Sequence, residues 1–350
     1  MNTIDGLMKD RINNFDIIRL VAAIIVIFSH SFPLSLGYVN GRDPDPLYRL
    51  TDAISLGHFA VMIFFIISGF LITQSFDRSR NPVIFLKARA LRIFPAMVFV
   101  VFLTVFILGP AVSTLPLGEY FRSTNTYKYL MNISLYFMVY PLPGVFEHNA
   151  YPNAVNGSLW TLIFEFGCYI GVLMLGVVRL LRKVSISILV IGFSWMFVLG
   201  RGGIAAEMVL FFLVGMLFYV YRGQIKLKFS FSLTATLVVL LLLVFYKTYW
   251  LPVIVICTAY VVMYLTFATK VKINGSKYGD FSYGTYIFAF PVQQLIVYYF
   301  GGSMYWLVNF LIALPITLIL AGISWHFVEK KAMKYKKISF FRKTSVGVQG

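Results

Sequence analysis

The chain of 350 residues is 59% hydrophobic and only 12% charged, with a formal net charge of +17. That apolar excess is well beyond a soluble domain and reads as a polytopic, all-α membrane protein. The basic excess does not point to nucleic acid, because Lys and Arg sit in short clusters between apolar runs, as cytoplasmic loops do.

The first apolar run, Asn14 to Pro33, contains Arg19 and His30. A charge at membrane depth is costly unless it is paired or faces a wet cavity, so both are candidates for function. They stand eleven residues apart, which at about 100° per residue places them on one helix face, roughly 16 Å apart along the axis. Asp16, one turn before Arg19, is expected to steady the guanidinium. The alternative is that Arg19 snorkels to the interface and His30 ends the helix without chemistry. Lys9 and Arg11 precede this run as in a signal peptide, but no small-residue cleavage site follows, so a retained first helix is expected.

Apolar windows of about 20 residues predict ten transmembrane helices, near 15–36, 54–75, 93–111, 158–178, 185–200, 204–221, 230–246, 250–268, 281–300 and 304–327. With the amino terminus in the cytoplasm, 24 of the 30 Lys and Arg fall on the inner side and 6 on the outer. This asymmetry predicts that both termini are cytoplasmic. A long outer loop, 111–157, precedes the fourth helix; its apolar piece from Tyr129 to Tyr140 is too short to span and is expected to be interfacial or re-entrant. Residues 1–329 are then one membrane domain and 330–350 a basic cytoplasmic tail touching lipid headgroups. Cys168 and Cys257 lie within apolar runs and read as small buried hydrophobes, with no disulfide or metal site expected.

After the second helix, a short basic connection leads into Lys87-Ala-Arg-Ala-Leu-Arg-Ile-Phe-Pro95. Arg89 and Arg92, one turn apart at the cytoplasmic mouth, suit a phosphate-bearing ligand; the plain alternative is that they only mark the inner side. The fourth helix carries Glu165 with no basic residue nearby in sequence. Its expected partner is His30 or an arginine on another helix, since a carboxylate that orients an imidazole is a recurrent catalytic device. A protonated packing residue is the alternative. His58, His148 and His326 are expected to be interfacial or loop residues.

Arg19 with His30, Phe65-Ile-Ile-Ser-Gly-Phe70, Arg89-Ala-Leu-Arg-Ile-Phe-Pro95, Ser158-Leu-Trp-Thr-Leu-Ile-Phe-Glu165 and Ser282-Tyr-Gly-Thr-Tyr286 together resemble the successive signatures of the membrane-bound acyltransferase-3 family, across essentially the whole chain. Departures are Ala289 before Phe290-Pro291, where many relatives carry histidine, and Lys331 in place of a proline. The resemblance implies a bacterial inner-membrane enzyme that moves an acyl group, usually acetyl, from cytoplasmic acetyl-CoA to a hydroxyl of a surface or lipid-linked glycan. His30 would be general base or transient acyl carrier, and Arg19 would bind donor phosphate or hold the inner channel. Arg89 and Arg92 would grip the CoA phosphates, and Glu165 would orient His30 or the acceptor. Trp160, Ser158 and Tyr151 would bind the acceptor, with Tyr120, Phe121, Tyr136, Tyr140 and Phe146 completing an aromatic platform; membrane anchoring is the other reading of these rings. The rival class is a transporter or flippase, against which stand the missing inverted repeat and the arginine pair.

Overall fold

The computed structural model describes residues 3–10, 12–273 and 279–335. Among them there is no strand, and the long helices are α1 (Phe15–Leu36), α2 (Leu56–Ser79), α3 (Pro82–Leu103), α4 (Thr161–Val177), α5 (Lys183–Val198), α6 (Ile204–Val220), α7 (Phe229–Val244), α8 (Leu251–Phe267), α9 (Ser282–Tyr299) and α10 (Trp306–Ser324). Six segments are long and apolar enough to cross a membrane: Phe15–Leu36, Leu56–Ser79, Pro82–Val112, Gly157–Val177, Thr248–Phe267 and Trp306–Lys334. Helices α5, α6 and α7 are apolar but shorter. Arg11, Lys277 and the tail beyond residue 335 lie outside the described residues.

The largest departure from the sequence expectation is the start of α3. Asn81 accepts the Ile84 amide at 3.0 Å and Pro82 opens the first turn, a strong helix start. The helix therefore begins eleven residues before the expected 93, and Lys87 to Arg92 belong to it rather than to a connecting loop. That carries Arg92 into the bundle, where its side chain is 12% exposed.

Helix α9 is the central element. It carries Ser282, Thr285, Gln293 and Gln294, all buried, and most of its length is enclosed by protein. Its side-chain amide nitrogens are satisfied by the chain around it, whereas Thr285 Oγ1 and Gln293 Oε1 are buried without a partner. Gln294 donates to the carbonyls of Tyr151 (2.7 Å) and Ala154 (2.8 Å), and Gln293 donates to the Ile27 carbonyl at 2.9 Å. Asn149 and Asn156 of the long loop donate to the carbonyls of Gln294 and Ile287, each at 2.9 Å. Satisfied in this way, amides that would be prohibitive against lipid pin the loop over the bundle. In that loop Tyr129–Ser134 is a short 3-10 helix of six residues, and Tyr120 and Tyr129 are buried.

Helix α2 runs against α1 and α6. A Cβ at Gly69 would meet the Phe212 carbonyl oxygen at 2.0 Å, and one at Gly215 would meet the Ile66 carbonyl oxygen at 2.1 Å. Only glycine lets these two backbones approach so closely, the way small residues bring membrane helices together. Helix α1 is anchored at its start by Asn14, which donates to the Leu265 and Val271 carbonyls at the end of α8 (3.0 and 2.9 Å). This places Arg19 one turn above a fixed point.

Candidate functional site

The first site is an ion cluster assembled from four parts of the chain. Arg19 on α1 pairs with Asp280 at 2.8 Å, not with Asp16 one turn away as expected. Asp280, in the segment just before α9, also pairs with Arg92 of α3, which makes a second pair with Glu329 at 3.2 Å. Glu329 closes a π-helical turn, Trp325–Glu329, that continues α10, and it accepts from Ser324 Oγ at 3.0 Å. Ser282 caps Asp280 from the first turn of α9, donating its amide at 3.2 Å. Burial alone would push the Asp280 carboxyl up, but the Arg19 and Arg92 guanidinium groups hold it well below the usual carboxylate range.

Arg89 and Arg92 therefore differ, although they stand one turn apart on one helix. Arg92 is fully engaged by two carboxylates and lies over the Tyr283 ring at 5.4 Å. Arg89 has no carboxylate partner among the described residues; its Nε is buried and unpartnered, and its guanidinium lies 6.0 Å from the Phe85 ring centroid. Glu165 is not hydrogen-bonded to His30. It accepts from Tyr169 Oη and from Ser68 Oγ, the latter at 3.3 Å. With Arg19, Arg92, Tyr169, Tyr283 and Tyr286 it lines a small pocket of about 50 Å³.

Toward the other end of the bundle lies a cavity of about 710 Å³ lined by His30, His58, Tyr38, Asp43, Tyr140, Tyr151, Trp160, Tyr286 and Phe290, among others. His30 stands edge-on to Phe290 with centroids 5.4 Å apart, and its Nδ1 is buried without a partner. Tyr151 and Trp160 line this cavity as expected of acceptor-binding residues, whereas Ser158 does not line it and is buried with an unpartnered hydroxyl. Of the proposed platform rings only Tyr140 joins them: Tyr120 and Phe146 are core residues and Tyr136 points outward at 72% exposed. Burial pushes the Asp43 carboxyl up, partly offset by the Asp45 amide that it accepts.

Val61 and Tyr286 line both spaces, so the guanidinium pocket and the His30 cavity abut there. Tyr286 is fixed by a 2.8 Å hydrogen bond to Thr161. Asp280, Tyr169 and the His58–Glu207 pair were missed by sequence reasoning. One signal was available for Asp280: it is the only acidic residue between Glu207 and Glu329.

Helices of this length around an arginine-lined pocket and an adjoining aromatic, histidine-bearing cavity define a multi-pass membrane protein. The sequence profile of a family described as an acyltransferase domain, the acyltransferase-3 family, matches residues 12–326. The chain belongs to this family and is an acyltransferase. It is 33% identical over 338 residues to a protein named O-acetyl transferase from Shigella phage Sf6, covering 91% of this chain and 95% of that protein. It is also 36% identical over 171 residues to nodulation protein 10 of Rhizobium leguminosarum bv. viciae, covering 47% of this chain and 44% of that one. No solved structure matches the chain.

Proposed function

We propose that the protein is an O-acetyltransferase of the bacterial cytoplasmic membrane that moves an acetyl group from cytoplasmic acetyl-CoA to a hydroxyl of a surface polysaccharide on the outer side. In this reading all ten long helices cross the bilayer, both termini are cytoplasmic, and the basic tail meets lipid headgroups. The observation that carries it is the meeting of the arginine pocket and the His30 cavity at Val61 and Tyr286. A donor entering from the arginine side needs to deliver only its acyl end to His30, while aromatic rings suit a sugar face on the other side. His30 acts there as base toward the hydroxyl or as transient acyl carrier. Glu165, held by Tyr169 and Ser68, faces the donor's thioester end rather than His30. The likeness to a phage O-acetyl transferase over nearly both chains supports acetyl as the group moved.

Because Arg92 is already paired with two carboxylates and Arg89 has no carboxylate partner among the described residues, the two should respond differently. Arg89→Gln is expected to raise the acetyl-CoA KM by roughly 10- to 100-fold, the equivalent of one charge-assisted phosphate contact, with Arg89→Lys intermediate. Arg92→Gln leaves the buried Glu329 facing no cation and Asp280 with Arg19 alone, and is expected to lower the amount of folded protein instead. Donor titration in membranes, normalised to protein level, separates the two. Equal KM shifts for both, at unchanged abundance, would return the pair to a shared phosphate grip.

Sidedness is tested by reconstituting the full chain with acetyl-CoA on the cytoplasmic face only and isolated polysaccharide on the other face only. O-acetyl ester on the polysaccharide and free CoA on the donor side are expected. Ester formed only when both substrates share one face would overturn the across-membrane route. Passage of intact solute without ester would favour a carrier.

A further inference from the structure

We propose that His58 and Glu207 form a second acid–base unit in the outer cavity, in which His58 takes the proton of the acceptor hydroxyl while His30 carries the acyl group. The inference rests on the reaction proposed above and selects the acyl-carrier role for His30. His58 lies in the first turn of α2 and Glu207 in the first turn of α6, and His58 Nε2 stands 2.9 Å from Glu207 Oε1. The two side chains are 22% and 15% exposed, and His58 lines the same cavity as His30. The two histidines also stand at one level. Ser29 precedes His30 and Gly57 precedes His58, and a Cβ on Gly57 would come within 2.9 Å of Ser29 Oγ. Helices α1 and α2 therefore touch beside both imidazoles.

The chemistry calls for such a group. Once a ring nitrogen of His30 holds the acyl group, that imidazole cannot also deprotonate the incoming hydroxyl, yet attack on the acyl carbonyl is much faster with a base in place. Among the residues lining the cavity, the remaining His, Asp or Glu side chains are His58 and Asp43, and Asp43 is occupied by the Asp45 amide at 2.9 Å. Glu207 accepts from Nε2–H of His58 and so leaves Nδ1 as the basic nitrogen, the way a carboxylate sets an imidazole tautomer in a hydrolase. The step balances. In the donor half a His30 ring nitrogen bonds to the acyl carbon, the carbon–sulfur bond to CoA breaks, and the ring N–H proton leaves with the thiolate as free CoA. In the acceptor half the hydroxyl oxygen forms a bond to the acyl carbon, its proton passes to His58 Nδ1, and the carbon–nitrogen bond to His30 breaks. The proton then passes from His58 to the released His30 nitrogen, leaving both rings neutral.

The test measures two half-reactions of the full chain in membranes. The donor half is exchange of tritiated CoA into acetyl-CoA without acceptor, and the acceptor half is acetate released by mild alkali from the surface glycan of expressing cells. His58→Ala is expected to keep exchange within about twofold and to lose ester about a hundredfold, with partial return when free imidazole is supplied. Glu207→Gln should lose less, about tenfold. Wild-type ester levels in His58→Ala would overturn the proposal. So would joint loss of exchange and ester without imidazole rescue, because a mere strut between α2 and α6 predicts that pattern. If the wild type makes ester but shows no exchange, the carrier step and this proposal both fall while the acyltransferase reading stands.

Discussion

His30→Ala is expected to lower acyl transfer by a factor of roughly 10² to 10⁴, the range for losing a positioned acid–base or nucleophilic group, while leaving the protein at normal abundance. The second half of the expectation comes from how little the ring holds in place. Its Nδ1 has no hydrogen bond to lose, and its main aromatic contact is one edge-on approach to Phe290 at 5.4 Å, worth on the order of 1 kcal/mol. The backbone around it is fixed by its neighbour instead: Ser29 Oγ donates to the buried Asp45 at 2.6 Å, and Asp45 in turn accepts the Leu47 and Leu56 amides. His30→Gln should be as inactive as His30→Ala. The measurement is O-acetyl content of the surface glycan at matched protein level, and full acetylation by either variant would remove His30 from the chemistry.

How much of this was legible in the sequence follows a physical division. Composition, apolar windows and the one-face spacing of Arg19 and His30 are local properties of a helix, and helices are found in the predicted order, six of the described segments being long and apolar enough to cross a membrane. The helix start at Asn81-Pro82 was also local, but the positive charges beyond it moved the expected span to residue 93, since nothing in the segment shows that carboxylates from elsewhere will neutralise them. The partners were not legible at all. Arg19 and Asp280 are 261 residues apart, and Arg92 and Glu329 are 237 apart. Proximity in sequence favoured Asp16 for Arg19, and chemical familiarity favoured His30 for Glu165; tertiary packing assigned Asp280 to the first and Tyr169 with Ser68 to the second. The acceptor platform failed for a related reason. An aromatic ring in an outer loop looks the same in sequence whether it faces a cavity, like Tyr151, or the core, like Tyr120.

Asp280→Ala should be among the most damaging single changes in the chain, and its damage should be structural before it is kinetic. The carboxylate holds two guanidinium groups from α1 and α3 at the mouth of α9, and its own side chain is 16% exposed. Removing it leaves Arg19 with no carboxylate partner among the described residues and Arg92 with Glu329 alone. Breaking a buried ion pair from one side costs about 3 to 5 kcal/mol, because the surviving charge stays buried without compensation. A clear fall in the thermal midpoint of the purified protein is expected, and Asp280→Ala combined with Arg19→Ala should fall by less than the two singles added together. The pH dependence has a definite sign. The folded-state carboxyl is held below its ordinary value, so its contribution is complete above the unfolded carboxylate pKa of about 3.9 and is lost only as pH falls through the lower folded value. The stability gap between wild type and Asp280→Ala should therefore be constant from about pH 8 down to about pH 5. A gap that closes within that window would mean that Asp280 titrates there, and that Arg19 and Arg92 do not hold it as an anion.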